Sequence, residues 1–277
     1  MRKYWVYITA LFMILGLNNQ AYAECIYGIC YTWNPGVENN CGQGCTYTFE
    51  NGTVYVTADG NNATISEGAL SPLYYDAMPS NISSVIIDGN FETINTHAFN
   101  HLGANISGKD GTLTLKNVGW NAFGNGTNHL TGEILVSDSI SEMGQGYLVN
   151  TVLDGILIIP ENIQFSDGPL RDMKLGQNGK IYCGVDNCEK YLRDSCDSLG
   201  DTDNLKQRCI DSLQDIVEAN KLQDFPSGCQ EMKSTGCTKC KNTRFRLTDG
   251  KCNRIIYTID EANQAAGDKN RVSIRYR

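Results

Sequence analysis

Six short apolar triplets constrain what this chain can fold into: Val54-Tyr55-Val56, Val85-Ile86-Ile87, Leu113-Thr114-Leu115, Ile134-Leu135-Val136, Leu157-Ile158-Ile159 and Ile181-Tyr182-Cys183. From first residue to first residue they lie 31, 28, 21, 23 and 24 positions apart. A loosely kept period in this range is the sequence sign of a solenoid, in which each unit buries its apolar face against its neighbours. A triplet suffices for one short strand, with its first and third side chains on one face and the middle one on the other. The triplets and the residues that join them fill 51–183. The expected architecture is mainly β, followed by a smaller α+β part.

The units align beyond their triplets. Val85-Ile86-Ile87 is followed by Ile94 and Ala98-Phe99, and Leu113-Thr114-Leu115 by Val118 and Ala122-Phe123. The first unit offers Ile65 and Ala69-Leu70 at the same internal spacing. The fourth keeps Ile140 and then breaks into Met143-Gly144-Gln145-Gly146-Tyr147, while the fifth keeps Ile163 and ends in Gly168-Pro169. The small alanine lets the chain turn closely, and the phenylalanine fills the space between stacked coils. Asn, Gly and Asp crowd the positions between, where the chain turns and asparagine tolerates unusual backbone angles. This pattern of strand triplet, isoleucine and Ala-Phe resembles the BspA-like leucine-rich repeats of bacterial surface proteins, although Asn95 stands where that family usually has glycine. The resemblance implies a right-handed leucine-rich-repeat solenoid on an exported, often surface-located protein. It brings no catalytic residues with it.

The ends of the chain indicate its compartment. Met1-Arg2-Lys3, an apolar run over 4–17 and Ala21-Tyr22-Ala23 read as a secretory signal peptide over residues 1–23. The run is shorter than the roughly 20 residues that span a bilayer, and no later stretch reads as a membrane span. Cleavage removes two positive charges, taking the net charge from -8 to -10. A chain this acidic repels nucleic acid and anionic lipid.

All twelve cysteines follow the cleavage site. Cys25, Cys30, Cys41 and Cys45 lie in a small polar segment, 24–50, expected to cap the first repeat. Cys183, Cys188, Cys196, Cys209, Cys229, Cys237, Cys240 and Cys252 lie at the other end, and the 137 residues between Cys45 and Cys183 hold none. Even groups in an exported chain are expected to close as disulfides within each end. Cys237-Thr238-Lys239-Cys240 lacks the second pair that a zinc ribbon needs, so no metal or other cofactor is expected. Within 184–277, Leu205, Cys209, Leu213, Ile216 and Val217 fall on one face of a single amphipathic helix, with Thr202 or Asp203 as its cap. Thr258 with Glu261, then Gly267, and the alternation of Val272, Ile274 and Tyr276 predict a terminal strand–helix–strand.

With first and third triplet residues inward, Tyr55, Ile86, Thr114, Leu135, Ile158 and Tyr182 point outward. Stacked coils would align them as an apolar stripe rimmed by polar side chains, as at a protein-binding surface. Alternatively the C-terminal region folds back and makes this face core, and the pattern leaves both open. Asn100-His101-Leu102 recurs as Asn128-His129-Leu130, which suggests that His101 and His129 stack in adjacent coils. Two imidazoles without a carboxylate or thiolate make a poor metal set. A polysaccharide-degrading enzyme on such a scaffold needs paired carboxylates, whereas the outward ladder offers Asp88 and Glu133, in different units. The expectation is a non-catalytic exported protein of surface recognition or adhesion, at the cell surface or outside it, with a protein or glycan partner. A structural envelope role, a periplasmic location and the β-solenoid enzyme are the alternatives.

Overall fold

The computed structural model describes residues 23–26, 29–32, 36–72, 79–124, 127–200, 202–242 and 244–254. The predicted signal peptide up to residue 22 and the terminal strand–helix–strand from 255 lie outside them. Strands β1 (Ala23–Ile26) and β2 (Ile29–Thr32) pair antiparallel with Cys25 opposite Cys30. Next come β3 (Asn39–Gly42) and β4 (Cys45–Glu50), stapled by a Cys41–Cys45 disulfide. β4 runs antiparallel to β5 (Thr53–Ala58) along its whole length, with Tyr47 and Phe49 buried. This hairpin covers an edge of β5 that would otherwise template other strands.

From β5 the chain winds through five coils and part of a sixth. Coil one holds β5 and β6 (Ala63–Ile65), and coil two holds β7 (Ser84–Asp88) and β8 (Phe91–Ile94). Coil three holds β9 (Asn105–Gly108), β10 (Thr112–Leu115) and β11 (Asn117–Val118). Coil four holds β12 (His129–Leu130), β13 (Glu133–Val136) and β14 (Glu142–Met143). Coil five holds β15 (Val152–Leu153), β16 (Ile156–Ile159) and β17 (Gln164–Phe165), and the sixth begins with β18 (Lys174–Leu175) and β19 (Lys180–Cys183). Stacked strands pair in parallel. One long sheet runs β3-β4-β5-β7-β9-β12-β15-β18, a second contains β10-β13-β16-β19, and shorter ones are β6-β8-β11 and β14-β17.

The six triplets therefore do not form one ladder. Val54 and Val85 pair on the first sheet, followed in register by Ile106, Leu130, Leu153 and Leu175. Leu113, Ile134, Leu157 and Ile181 pair on the second. Coil three introduces a corner at Lys109-Asp110-Gly111, with a strand on each side of it. The step of 28 residues thus compares strands of different sheets; along the first sheet the steps are 31, 21, 24, 23 and 22. Short strands that bury little more than Ile106 or Leu130 are too sparse to register as a periodic signal.

Glycine makes the new corner stackable. The carbonyls of Gly111, Gly132 and Gly155 accept from the N–H of Glu133, Ile156 and Lys180 at 2.8, 2.8 and 3.0 Å. A Cβ on Gly132 would stand 2.5 Å from Gly111 O, and one on Gly155 2.3 Å from Gly132 O. No other residue allows that approach.

Inside the coils, the first and third residues of all six triplets are buried, as are Ala69-Leu70, Ala98-Phe99 and Ala122-Phe123. The Phe99 and Phe123 rings stack with centroids 5.4 Å apart and planes 9° from parallel.

Beyond β19 the structure has two helices where the apolar pattern predicts one. α1 (Cys188–Cys196) and α2 (Leu205–Glu218) are joined by the Cys196–Cys209 disulfide. α1 is amphipathic too, burying Cys188, Leu192, Ser195 and Cys196, but it is only 9 residues long and its buried face has a single large apolar side chain, so few apolar positions mark it in the sequence. α2 is capped by neither Thr202 nor Asp203: its N-cap is Asn204, in a left-handed conformation without a side-chain cap bond. β20 (Leu222–Asp224) then extends the second sheet in parallel with β19. A small module of two hairpins follows, β21 (Cys229–Lys233) with β22 (Gly236–Cys240), and β23 (Phe245–Thr248) with β24 (Lys251–Arg254). Cys229–Cys237 and Cys240–Cys252 staple the module, and Cys183–Cys188 ties β19 to α1. Five disulfides among the described residues fit an oxidising, extracellular-type environment. Among those residues no helix is long and apolar enough to cross a membrane.

Candidate functional site

The outward residues divide with the sheets. Tyr55 and Ile86 are neighbours on the first sheet, with Ser107 next in register, and Tyr55 is 41% exposed. Thr114, Leu135, Ile158 and Tyr182 form a row on the second sheet, and there the C-terminal module folds back over the face. Ile158 is 1% exposed and clusters with Cys229, Met232, Cys237 and Cys252, with Leu135 and Tyr182 packed against them. Thr114 borders a cleft of about 260 Å³ left between module and sheet. Ser234 N–H donates to the buried Glu133 carboxylate at 2.6 Å, and Lys241 Nζ lies 3.2 Å from Glu161. A single stripe from Tyr55 to Tyr182 is therefore corrected, and of the two alternatives left open for its face the covered one holds on the second sheet. The residues belong to two sheets, and on the second Ile158 is core with Leu135 and Tyr182 partly buried against it, because that much apolar area on one β-face demands a cover. Asp88 pairs with Lys109 at 2.5 Å while Glu133 anchors the module, so the two outward carboxylates serve separate structural contacts.

The repeated Asn-His-Leu motif also resolves differently. His129 lies between Asn105 and Val152 in the ladder, not beside His101, which is exposed. The asparagines and leucines of the motif, Asn100, Leu102, Asn128 and Leu130, are buried, and the histidines are not.

A groove opens on the side formed by the two short sheets. β6-β8-β11 ends at coil three and β14-β17 begins at coil four, and among the described residues β11 and β14 do not pair. Tyr147 is the reason. Leu148 N–H donates to Pro169 O at 2.9 Å, as Leu70 does to Ala98 O at 2.8 Å and Phe99 to Ala122 O at 2.7 Å. Tyr147 thus stands where coils one to three have Ala69, Ala98 and Ala122. A phenol does not fit a space sized for a methyl group, so its ring is wedged between coils three and four. Its hydroxyl reaches Leu115 O at 3.1 Å and Lys116 O at 2.7 Å. Ser137 N–H still bonds Leu115 O at 2.8 Å, and the ladder stops one residue later. Burial raises the Tyr147 hydroxyl pKa well above its ordinary value, which keeps it a donor. Tyr147→Phe should leave the Lys116 carbonyl unpaired and cost about 1–3 kcal/mol, measured by denaturant unfolding. An unchanged midpoint would show that the wedge acts by shape alone.

The groove measures about 730 Å³ and adjoins a recess of about 230 Å³. On one wall Lys116 Nζ lies 2.8 Å from Glu92 Oε2, and Asn117 Nδ2 donates to Glu92 O at 3.0 Å. On the other, Ser166 Oγ donates to Glu142, and Gln145 stands nearby in the lining. Trp120 follows Gly119 of the recess directly and is 42% exposed. It lies against Gly146, where a Cβ would come 2.6 Å from the indole Cδ1 and where φ is +86°. His97 meets the indole edge-on, with centroids 5.0 Å apart and an interplanar angle of 81°.

Burial lowers the His97 pKa from its ordinary 6.5; Glu67 opposes the shift and His101 adds to it. Below pH 6.5 the unfolded chain then binds more protons than the folded one, so stability falls as pH drops through and below that value. The melting temperature should therefore fall between neutral pH and about pH 5 more steeply in the native chain than in His97→Gln. Parallel declines would remove His97 from that account.

Glu92, Lys116, Asn117, Trp120, Glu142 and Gln145 lie outside the predicted stripe. The signal for them is the broken fourth unit, where a tyrosine occupies an alanine position. Among the described residues no three His, Cys, Asp or Glu side chains gather as a metal site. The chain matches no protein-family model, no curated protein and no solved structure.

Proposed function

We propose that this chain is an exported bacterial recognition protein that binds a protein or glycan, at or outside the cell surface, without transforming it. Its scaffold is then a right-handed solenoid of the BspA-like leucine-rich-repeat kind. The strand–isoleucine–Ala-Phe units support that likeness, and parallel crossovers are right-handed in about 98% of cases. The signal-like N-terminus and the stapled ends support export.

The groove beside Trp120 is the observation that carries the functional reading. A purely structural solenoid gains nothing from a residue that interrupts its own ladder, because backbone groups left without strand partners cost stability. Departures from local consistency are expected where a chain serves function. Glu92 and Glu142, each held by neighbouring donors, suit hydrogen bonding to a ligand.

Labelled full chain applied to a panel of bacterial and animal cells, and to arrays of proteins and glycans, should bind saturably to at least one of them. Failure on every surface and array would remove the recognition role. Protease added to intact producing cells should digest the chain, whereas complete protection would place it in the periplasm.

A further inference from the structure

We infer that the groove between coils three and four takes a saccharide chain, neutral or amino-bearing, with Trp120 as a stacking platform; this rests on the recognition role above and names its ligand class. The groove's volume of about 730 Å³ falls within the roughly 300–1,000 Å³ of small-ligand sites. Its lining is rich in paired donors and acceptors: the amides of Asn117 and Gln145 and the hydroxyls of Ser139 and Ser141. Such groups match a polyol, whose hydroxyls both give and accept hydrogen bonds. Ile140 is the one sizeable apolar side chain in the lining, so the groove lacks the apolar pocket that anchors a protein hot spot.

Charge narrows the class. Lys116 offsets Glu92, which leaves Glu142 and Asp167 to make the groove negative. Phosphate, sulfate and uronate groups meet repulsion there, whereas a neutral or amino sugar does not.

Trp120 supplies the apolar surface. The indole is already positioned by His97 and by the bare Cα of Gly146, so little rotamer freedom remains to be lost when a sugar's C–H face stacks on it. A second cavity of about 570 Å³ shares Ser166 and Asp167 with the groove and reaches Phe165 and Tyr191. Tyr191 is 49% exposed, with Lys190 Nζ 5.1 Å from its ring centroid. Trp120 beside the recess and Tyr191 in the second cavity suit a chain of several units better than a single sugar.

The test is an array of neutral, amino-bearing and uronate oligosaccharides of increasing length, followed by calorimetric titration of the full chain. The expected result is binding to neutral or amino-bearing chains that strengthens with length. Trp120→Ala should weaken it about tenfold or more. Tyr191→Ala should remove the gain with length, and Glu142→Gln should weaken amino-bearing chains selectively. Because Glu142→Gln leaves the coil geometry intact, it decides the matter if Trp120→Ala fails to fold. Saccharide binding that survives these changes but is lost in Tyr55→Ala would overturn the groove assignment and keep the recognition role. Binding to proteins alone would overturn the saccharide class, again keeping that role. No binding of any kind would overturn both. Shortening of the bound chain would uphold the site and overturn its non-catalytic character.

Discussion

Replacing Asn128 by alanine is expected to destabilise the solenoid by at least about 2 kcal/mol. Asn128 is fully buried. Its amide donates to Phe99 O at 2.5 Å and Phe123 O at 2.9 Å, and its carbonyl oxygen accepts from Ala104 N–H at 3.3 Å. One side chain thus satisfies three backbone groups from coils two and three, in a place that water does not reach. Leu102 N–H also donates to Phe99 O at 3.3 Å, so truncation leaves Phe123 O and Ala104 N–H unpaired, each at about 1–3 kcal/mol, more than the lost hydrogen bond itself contributes in water. Asn128→Asp keeps the acceptor but loses both donations and buries a charge, so it should be no milder. His129→Ala, one residue on, should change stability by roughly 0.5 kcal/mol or less. Urea titration of the disulfide-intact chain measures all three, since the midpoint reports stability at constant slope. An Asn128→Ala midpoint within error of the native one would mean that another group satisfies these carbonyls.

Phe99→Ala should cost about 3–5 kcal/mol. The ring is 0% exposed and stacks on Phe123, so truncation leaves a cavity that the ladders on both sides cannot close. The cost combines the lost apolar transfer with the lost contacts along the cavity wall. Phe99→Leu should recover most of it, because leucine fills the same place in coil one as Leu70. Equal losses for alanine and leucine would show that ring stacking, not volume, is what the site requires.

The two predictions differ in how far they could be read beforehand. Phe99 follows from the repeat itself: a large residue after a small one, at constant distance from an isoleucine. Asn128 does not, because its Asn-His-Leu motif draws attention to the imidazole, and the value of the asparagine lies in three carbonyl and amide groups set by the stacking. The groove sits between these cases. The fourth unit is visibly broken, and a tyrosine at an alanine position implies local rearrangement, but that the result is a polar cleft beside Trp120 depends on where coil four moves.

One-dimensional pattern was enough for the inward half of the solenoid. Side-chain alternation is a property of a single strand, so Val54, Val56 and their counterparts through Cys183 face the core wherever their strand pairs. The grouping of the C-terminal cysteines was equally legible, since all eight pair with sequence neighbours. Strand pairing itself was not. Val85 takes Ile106 rather than Leu113 as its partner because a corner intervenes, and nothing local to either residue announces it. The fate of the outward face lay further still from the pattern. Ile158 becomes core and Leu135 and Tyr182 are partly covered, while Tyr55 stays open, because a stapled module docks on one sheet through contacts such as Ser234 to Glu133, 101 residues apart. Alternation tells which side of a strand a residue takes; only packing between distant segments tells what lies on that side.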